Sequence, residues 1–273
     1  MIPINHSIKL NNVSKVINDY SPSFSGIVSQ ESKGKLWVDN ITVPAIAIAE
    51  SFAVGSFAFL GVQKAPINFA KLKDFLENEL FCSLKKDGYE CFEFSIESES
   101  LRAPILEMFQ DEVIHTEKEF SLRINSAPLS NQPIQPKEYQ IRKVDALFWT
   151  RLIEGRFENE DFLMRRLLES WSSFEVFEKR SVAYCTLYKN RIVAVMVGTA
   201  SFNHIIAIDI ETESNHQRKG LAYAMGVEFI TDCLSNELIL QWDCVESNPN
   251  SYHLAKKLGF EKIHENIVYW FDL

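Results

Sequence analysis

The chain has 273 residues, 46% of them hydrophobic and 24% charged, with a formal net charge of -9 at pH 7. That length makes one large domain or two of ordinary size, with ample chain for a core. The acidic excess is spread over both halves and argues against a general nucleic-acid binder, and no apolar run reaches the ~20 residues of a membrane span.

The N-terminus, Met1-Ile2-Pro3-Ile4-Asn5-His6, lacks a basic segment followed by a long apolar run, so it does not read as a signal peptide. The five cysteines, at 82, 91, 185, 233 and 244, show neither CxxC nor zinc-finger spacing. Free thiols in a reducing cytoplasm are the expectation, with no metal site.

Short apolar runs at 35–40, 45–49 and 57–62 read as strands. Residues 68–86 read as one helix, because Phe69, Leu72, Phe75, Leu76, Leu80 and Leu84 recur at three- and four-residue steps and Gly88 follows. CFEFSI at 91–96 alternates as a strand does, 100–109 reads as a short helix and 113–124 as a strand. The segment 125–137, NSAPLSNQPIQPK, holds three prolines and little charge, and reads as an extended connector. It sets the expected organisation: a smaller α/β domain over 1–124, a linker over 125–137 and a second domain over 138–273.

Beyond the connector, helices are expected at 144–154 and 159–171, a hairpin at 181–188 and 191–200, and a strand at 204–212. A helix at 217–235, a strand at 238–245, a helix at 249–258 and two last strands within 261–273 complete the pattern. The first half ends in a similar rhythm of strand, long helix, strand, short helix, strand. That similarity suggests a degenerate internal repeat.

The chemistry-bearing segment is Gln217-Arg218-Lys219-Gly220-Leu221-Ala222, which follows a strand and opens a helix. A tight turn at a helix start presents several unpartnered N–H groups at the positive end of the helix dipole, a geometry that binds phosphate. Neither GxxxxGK[ST] nor GxGxxG occurs. Further on, Asn248 precedes Pro249 and Ser251, and the helix that follows ends in Leu258-Gly259-Phe260. Asn248 reads equally well as a plain helix cap.

Q-x-x-G-x-A after a strand, followed by N-x-x-S-x-x-L-x-x-x-L-G-F, resembles the GNAT acyltransferases over about residues 138–273. The run DIET, HQRKGLA, WDC and NSYHLAKKLGF further resembles the branch related to zwittermicin A resistance proteins. The resemblance implies a mixed α/β sheet whose strand 205–212 parts from the strand 238–245. Acetyl-CoA would then lie in the slot, its pantetheine arm along the backbone of Ile210 and Thr212. Gln217, Arg218, Lys219, Gly220, Leu221 and Ala222 would hold its diphosphate, and Asn248 and Ser251 would reach the arm.

In such enzymes an amine attacks the thioester directly, and a tyrosine four residues before the glycine of LGF protonates the leaving thiolate. Here that position is Ala255, so Tyr252, one turn earlier, is the substitute acid. Asp209 and Glu211 share one face of the strand and are the candidate bases, with Glu211 first and His204 and Glu213 behind them. Two functions remain open: an N-acetyltransferase for a small-molecule amine, or a non-catalytic acyl-CoA sensor or assembly protein. No nucleic-acid or membrane partner is expected, and an exposed final strand would allow a shared-edge homodimer.

Overall fold

The computed structural model describes residues 1–4, 10, 16–62, 67–124 and 136–273. The expected linker therefore falls almost wholly outside the described residues. The chain forms two compact units that do not follow the sequence end to end. The first holds Met1–Glu119, Val245–Ser247 and Glu265–Leu273; the second holds Phe120–Cys244 and Asn248–His264.

The first unit contains β1 (Ile2–Ile4), α1 (Pro22–Val28), β2 (Lys35–Val38), β3 (Ile46–Ser51) and β4 (Ser56–Gly61). Helices α2 (Phe69–Phe75) and α3 (Phe81–Lys86) follow, joined by a π-helical turn at Leu76–Leu80, where the sequence pattern suggests one continuous α-helix. Then come β5 (Cys91–Ile96), α4 (Glu99–Met108) and β6 (His115–Ile124), whose last residues belong to the second unit. The core is aromatic: Phe57 and Phe59 of β4, Phe92 and Phe94 of β5, and Phe109 pack around Phe271 from the end of the chain. Rings at 4.9–6.3 Å in tilted and edge contacts add specific geometry to the burial.

The second unit contains β7 (Tyr139–Lys143), α5 (Ala146–Ile153), α6 (Asp161–Ser170), α7 (Phe174–Arg180), β8 (Ala183–Tyr188), β9 (Arg191–Phe202) and β10 (Ile205–Thr212). It continues through α8 (Leu221–Ser235), β11 (Ile239–Val245), α9 (Pro249–Leu258) and the start of β12 (Glu261–Asp272). The expected final pair of strands is one long strand, and the helix expected from Gln217 begins at Leu221. β1, α1, β7 and α7 were not anticipated; they are short and lack a long apolar period.

Strand for strand the units repeat each other. In space the first runs β1-β2-β3-β4-β5 and is completed by β12; the second runs β7-β8-β9-β10-β11 and is completed by β6. Each has antiparallel neighbours up to its fourth strand, then a short parallel pair: Phe57–Phe59 with Phe94–Ile96, and Ile205–Ala207 with Ile239–Gln241. The fold is a mixed α/β sheet repeated, as the rhythm of the two halves suggests, but each unit borrows its closing strand from the other half of the chain. β12 pairs with β5 from Val268 to Asp272. One edge of the last strand is therefore taken within its unit.

Alternation in the second unit assigns the faces of its sheet. Leu122, Ala194, Met196, Ile206, Leu240, Trp242 and Cys244 pack with α8 and α9. Cys185, Val195 and Val197 pack on the other side with α5, α6 and α7, where Trp171, Phe174 and Phe177 are core residues.

Candidate active site

The site begins where β10 leaves β11. Their parallel register stops at Ala207 opposite Gln241, while β10 continues along β9 as far as Thr212 opposite Ala194. Five residues of β10, Ile208–Thr212, thus have a β9 neighbour on one edge and no registered β11 partner on the other. A register shift between Ala207 and Ile208 marks the departure, a bulge of the kind that bends a strand. Gly198 stands opposite Ile208, and a Cβ there would meet Ser181 Oγ at 2.1 Å and Ile206 Cγ2 at 2.5 Å. Only glycine fits that crossing. The Gly198 carbonyl also accepts from Trp171 Nε1 (2.9 Å) and Ser181 Oγ (2.8 Å), which ties the bulge to the C-terminal ends of α6 and α7.

The turn that opens α8 lies at the end of this strand. Gly220 caps the helix with φ +77°, Arg218 has φ +58°, and no side chain caps the first turn. The first backbone bond of the helix is Ala224 N–H to Gly220 C=O at 3.0 Å. Among the described residues, the amides of Arg218, Lys219, Gly220, Leu221 and Ala222 meet no protein acceptor, which leaves an anion-binding helix start. A Cβ on Gly220 would have open space, so this glycine is required by its backbone conformation.

The predicted diphosphate residues divide by role. Gln217 Nε2 donates to Thr212 C=O at 3.0 Å, so these two hold the loop to the strand end and the Thr212 carbonyl is already engaged. Lys219 Nζ donates to Tyr139 Oη (2.8 Å) and to Asn215 C=O (3.2 Å), and His216 Nδ1 meets the same hydroxyl at 2.9 Å. Tyr139 and His216 were not anticipated as a support for Lys219, since Tyr139 comes from β7, far away in sequence. The Arg218 side chain is exposed.

On α9, Asn248 accepts from Ser251 N–H at 3.1 Å, so it acts as the helix cap. Ser251 Oγ accepts from Trp242 Nε1 at 2.8 Å and joins α9 to β11. Ala255 is fully buried in the core, and Tyr252 is part-buried, its ring 5.5 Å from that of Phe120.

The opposite face of the sheet carries the acids. Asp209 and Glu211 both bond Arg166 of α6: Nε reaches Asp209 Oδ2 at 2.7 Å and an Nη reaches Glu211 Oε2. Arg166 also donates to Phe162 C=O at 2.8 Å. The guanidinium is 12% exposed, whereas Asp209 and Glu211 are 41% and 52% exposed, so the buried charge is met by two acids that still face solvent. Glu213 is bound by Arg191 (2.6 and 3.0 Å) and by Asn159 (3.0 Å), a structural role.

Asp243 of β11, which the WDC motif contains without a role being expected of it, lies on this acidic face with Gln241. Gln241 Nε2 donates to its two oxygens at 3.0 and 3.2 Å, while Gln241 Oε1 accepts from Arg123 Nε and Nη2 at 3.0 and 2.9 Å. Burial pushes the Asp243 carboxyl up to about 6, against the lowering effect of hydrogen bonds from Ser121 and Gln241 and of the Arg123 charge. Among the described residues no group of side chains could hold a metal ion, and no helix is long and apolar enough to cross a membrane.

Comparison with known proteins agrees with this geometry. The chain is 30% identical over 102 residues to the uncharacterized N-acetyltransferase YdfB of Bacillus subtilis, a match spanning 37% of this chain and 39% of that relative. A GCN5-related N-acetyltransferase-like protein from Streptococcus suis superposes with a TM-score of 0.57 at 20% identity, over 87% of this chain and 88% of that one. A tandem GNAT protein from the clavulanic acid biosynthesis pathway superposes with a TM-score of 0.58 at 11% identity, over 99% and 97% of the two chains. At these identities the solved structures speak for the fold alone. The model of the GNAT acetyltransferase family matches residues 17–269, reaching well into the first half, where the sequence shows no motif of its own. With that match over nearly all of its length, the chain belongs to the GNAT acetyltransferase family.

Proposed function

We propose that the protein is an N-acetyltransferase that binds acetyl-CoA in its second unit and transfers the acetyl group to an amine of a small molecule in a ternary complex. The observation that carries this reading is the pairing of an uncapped helix start, turned by left-handed Arg218 and Gly220, with a strand that parts from its neighbour just upstream. The residues present suit the coenzyme. The amides from Arg218 to Ala222 would take the diphosphate, with the Arg218 side chain adding attraction. The edge of β10 at Ile210 would take the pantetheine arm as an added strand, and Asn248 and Ser251 lie at the start of α9, toward the same slot.

Bound there, acetyl-CoA supplies an activated acyl carbon. An N–H on the free edge of β10 would stabilise the oxyanion, as preorganised donors do. The departing thiolate has an ordinary pKa near about 8.5, so protonation by Tyr252 is a modest aid and the loss of tyrosine at Ala255 is tolerable. Asp209 and Glu211, exposed beside Arg166, would face a cationic acceptor. The likeness to zwittermicin A resistance proteins belongs to the same reading and favours an aminopolyol-type amine. The site of action would be the cytoplasm, where the five free cysteines stay reduced.

A second reading, an acyl-CoA sensor or assembly protein, is favoured by one observation: the usual acid position is occupied by fully buried Ala255. Calorimetry with CoA and acetyl-CoA, followed by thiol release over a panel of amines, tests both. Binding with thiol release supports the transferase. Binding without release across the panel supports the sensor, and absence of binding overturns both.

A further inference from the structure

We propose that Asp243 is the catalytic base that takes the proton from the attacking amine. This assignment rests on the acetyltransferase reading and adds to it a residue that neither the motif nor the family resemblance supplies.

The argument is one of faces and register. The uncapped turn belongs to α8, and α8 packs on the side of the sheet formed by Leu240, Trp242 and Cys244. A coenzyme held at that turn enters the slot from that side. The acceptor must then approach the acyl carbon from the other face, where Gln241 and Asp243 project from β11 and Asp209 and Glu211 from β10. The last registered pair of the two strands is Ala207 opposite Gln241. Asp243 stands two residues beyond it, roughly 7 Å along the strand, at the point where the slot opens. In an unbroken ladder Asp209 would be its partner, so the two acids flank the opening.

They are not equivalent. Asp209 and Glu211 are both bonded to the Arg166 guanidinium, so each already has an oxygen engaged by α6. The charged group facing Asp243 is Arg123 on β6, and that guanidinium is directed at Gln241 Oε1. Asp243 itself is held by neutral donors, Gln241 Nε2 and Ser121. A carboxylate positioned by neutral donors and crowded by protein keeps its affinity for a proton, and a base poised near the working pH is the effective kind.

The step balances as follows. One proton of the ammonium passes to the Asp243 carboxylate, and the freed lone pair forms the C–N bond at the thioester carbon. The C–S bond breaks with its electron pair on sulfur. The thiolate takes the second nitrogen proton, leaving amide and thiol, and Asp243 returns its proton to solvent.

Asp243→Asn is the test. Calorimetry should give CoA affinity within about twofold of the parent. Thiol release at pH 7.5 with ethylamine, 1,3-diaminopropane, lysine and glucosamine should fall 100-fold or more with every amine the parent accepts. The acid limb of kcat/KM near pH 6 should disappear in the variant, and hydroxylamine, mostly neutral at pH 7.5, should lose less than tenfold at that pH. A variant rate within threefold of the parent, or an unchanged acid limb, overturns the assignment. A second measurement needs neither turnover nor a variant: in the CoA-loaded parent, the Asp243 carboxyl carbon should titrate near pH 6 by NMR, and titration below pH 4.5 overturns the assignment. A parent that binds CoA, shows that titration and transfers to no amine overturns the transferase reading, and the base with it.

Discussion

Arg166 Nε donates to Asp209 Oδ2 across 2.7 Å, and the same guanidinium holds Glu211. One buried cation from α6 thereby fixes two carboxylates on the free part of β10. Arg166→Gln should leave CoA affinity unchanged, because the turn proposed to hold the diphosphate opens α8 on the other face, and should lower kcat/KM for cationic acceptors by tenfold or more. Steady-state kinetics beside calorimetry checks it; a matching loss of CoA affinity would show that Arg166 supports the coenzyme slot instead.

Gly220→Val should weaken CoA binding by at least tenfold and lower the melting temperature by no more than the backbone strain of about 1–2 kcal/mol accounts for. The added side chain meets nothing within 4 Å, so its effect comes from the φ of +77° that a β-branched residue resists. Unaltered affinity in calorimetry would mean that the turn does not carry the diphosphate.

One CoA should bind per chain. In the first unit the helix after the fourth strand, α2, is capped by Asn68, whose side chain accepts from Lys71 N–H at 2.9 Å. The matching helix of the second unit has no side-chain cap. A titration that saturates at two equivalents would refute this asymmetry.

Gly198→Ala should cost about 1–3 kcal/mol by overpacking, since its Cβ would press on Ser181 and Ile206 in a closed core. Denaturant unfolding measures the loss. The variant should also bind CoA more weakly, because the bulge that parts β10 from β11 lies directly opposite.

Asp243 gives a pH signature in stability. Its folded pKa, about 6, lies above the ordinary 3.8, so the folded state binds the proton more tightly. The stabilisation is complete below pH 3.8 and is lost as pH rises through 6. Asp243→Asn should therefore melt higher than the parent at pH 8, gain about half as much at pH 5, and gain little only below pH 3.8. Thermal scans at the two pH values decide the point; equal shifts at both would remove the linkage.

Much of this was legible in the sequence. Apolar periodicity located most strands and helices of the second unit, and the lone glycine of HQRKGLA marked a tight turn at a helix start, whose left-handed backbone only the structure shows. Asn248, offered both as cap and as ligand, is observed as a cap. Periodicity reports which face of an element is buried but not which partner lies against it. Arg166 lies 43 positions from Asp209, and nothing local joins them. Asp243 did leave a trace: Gln241 and Asp243 alternate with apolar Leu240, Trp242 and Cys244, which marks a polar face within a central strand. The reach of the family into the first half was hidden, because Asn68 caps a helix there without a glycine turn.

The traded strands also constrain how the protein can be made. Residues 265–273 complete the first unit yet are made only after all of the second unit. During synthesis Phe92 and Phe94 wait without Phe271 and Tyr269, so the nascent first half carries an open aromatic sheet edge until residues 265–273 have been made. Cutting the gene at the proline-rich segment would leave each fragment lacking a strand, and the halves would be recovered together or not at all.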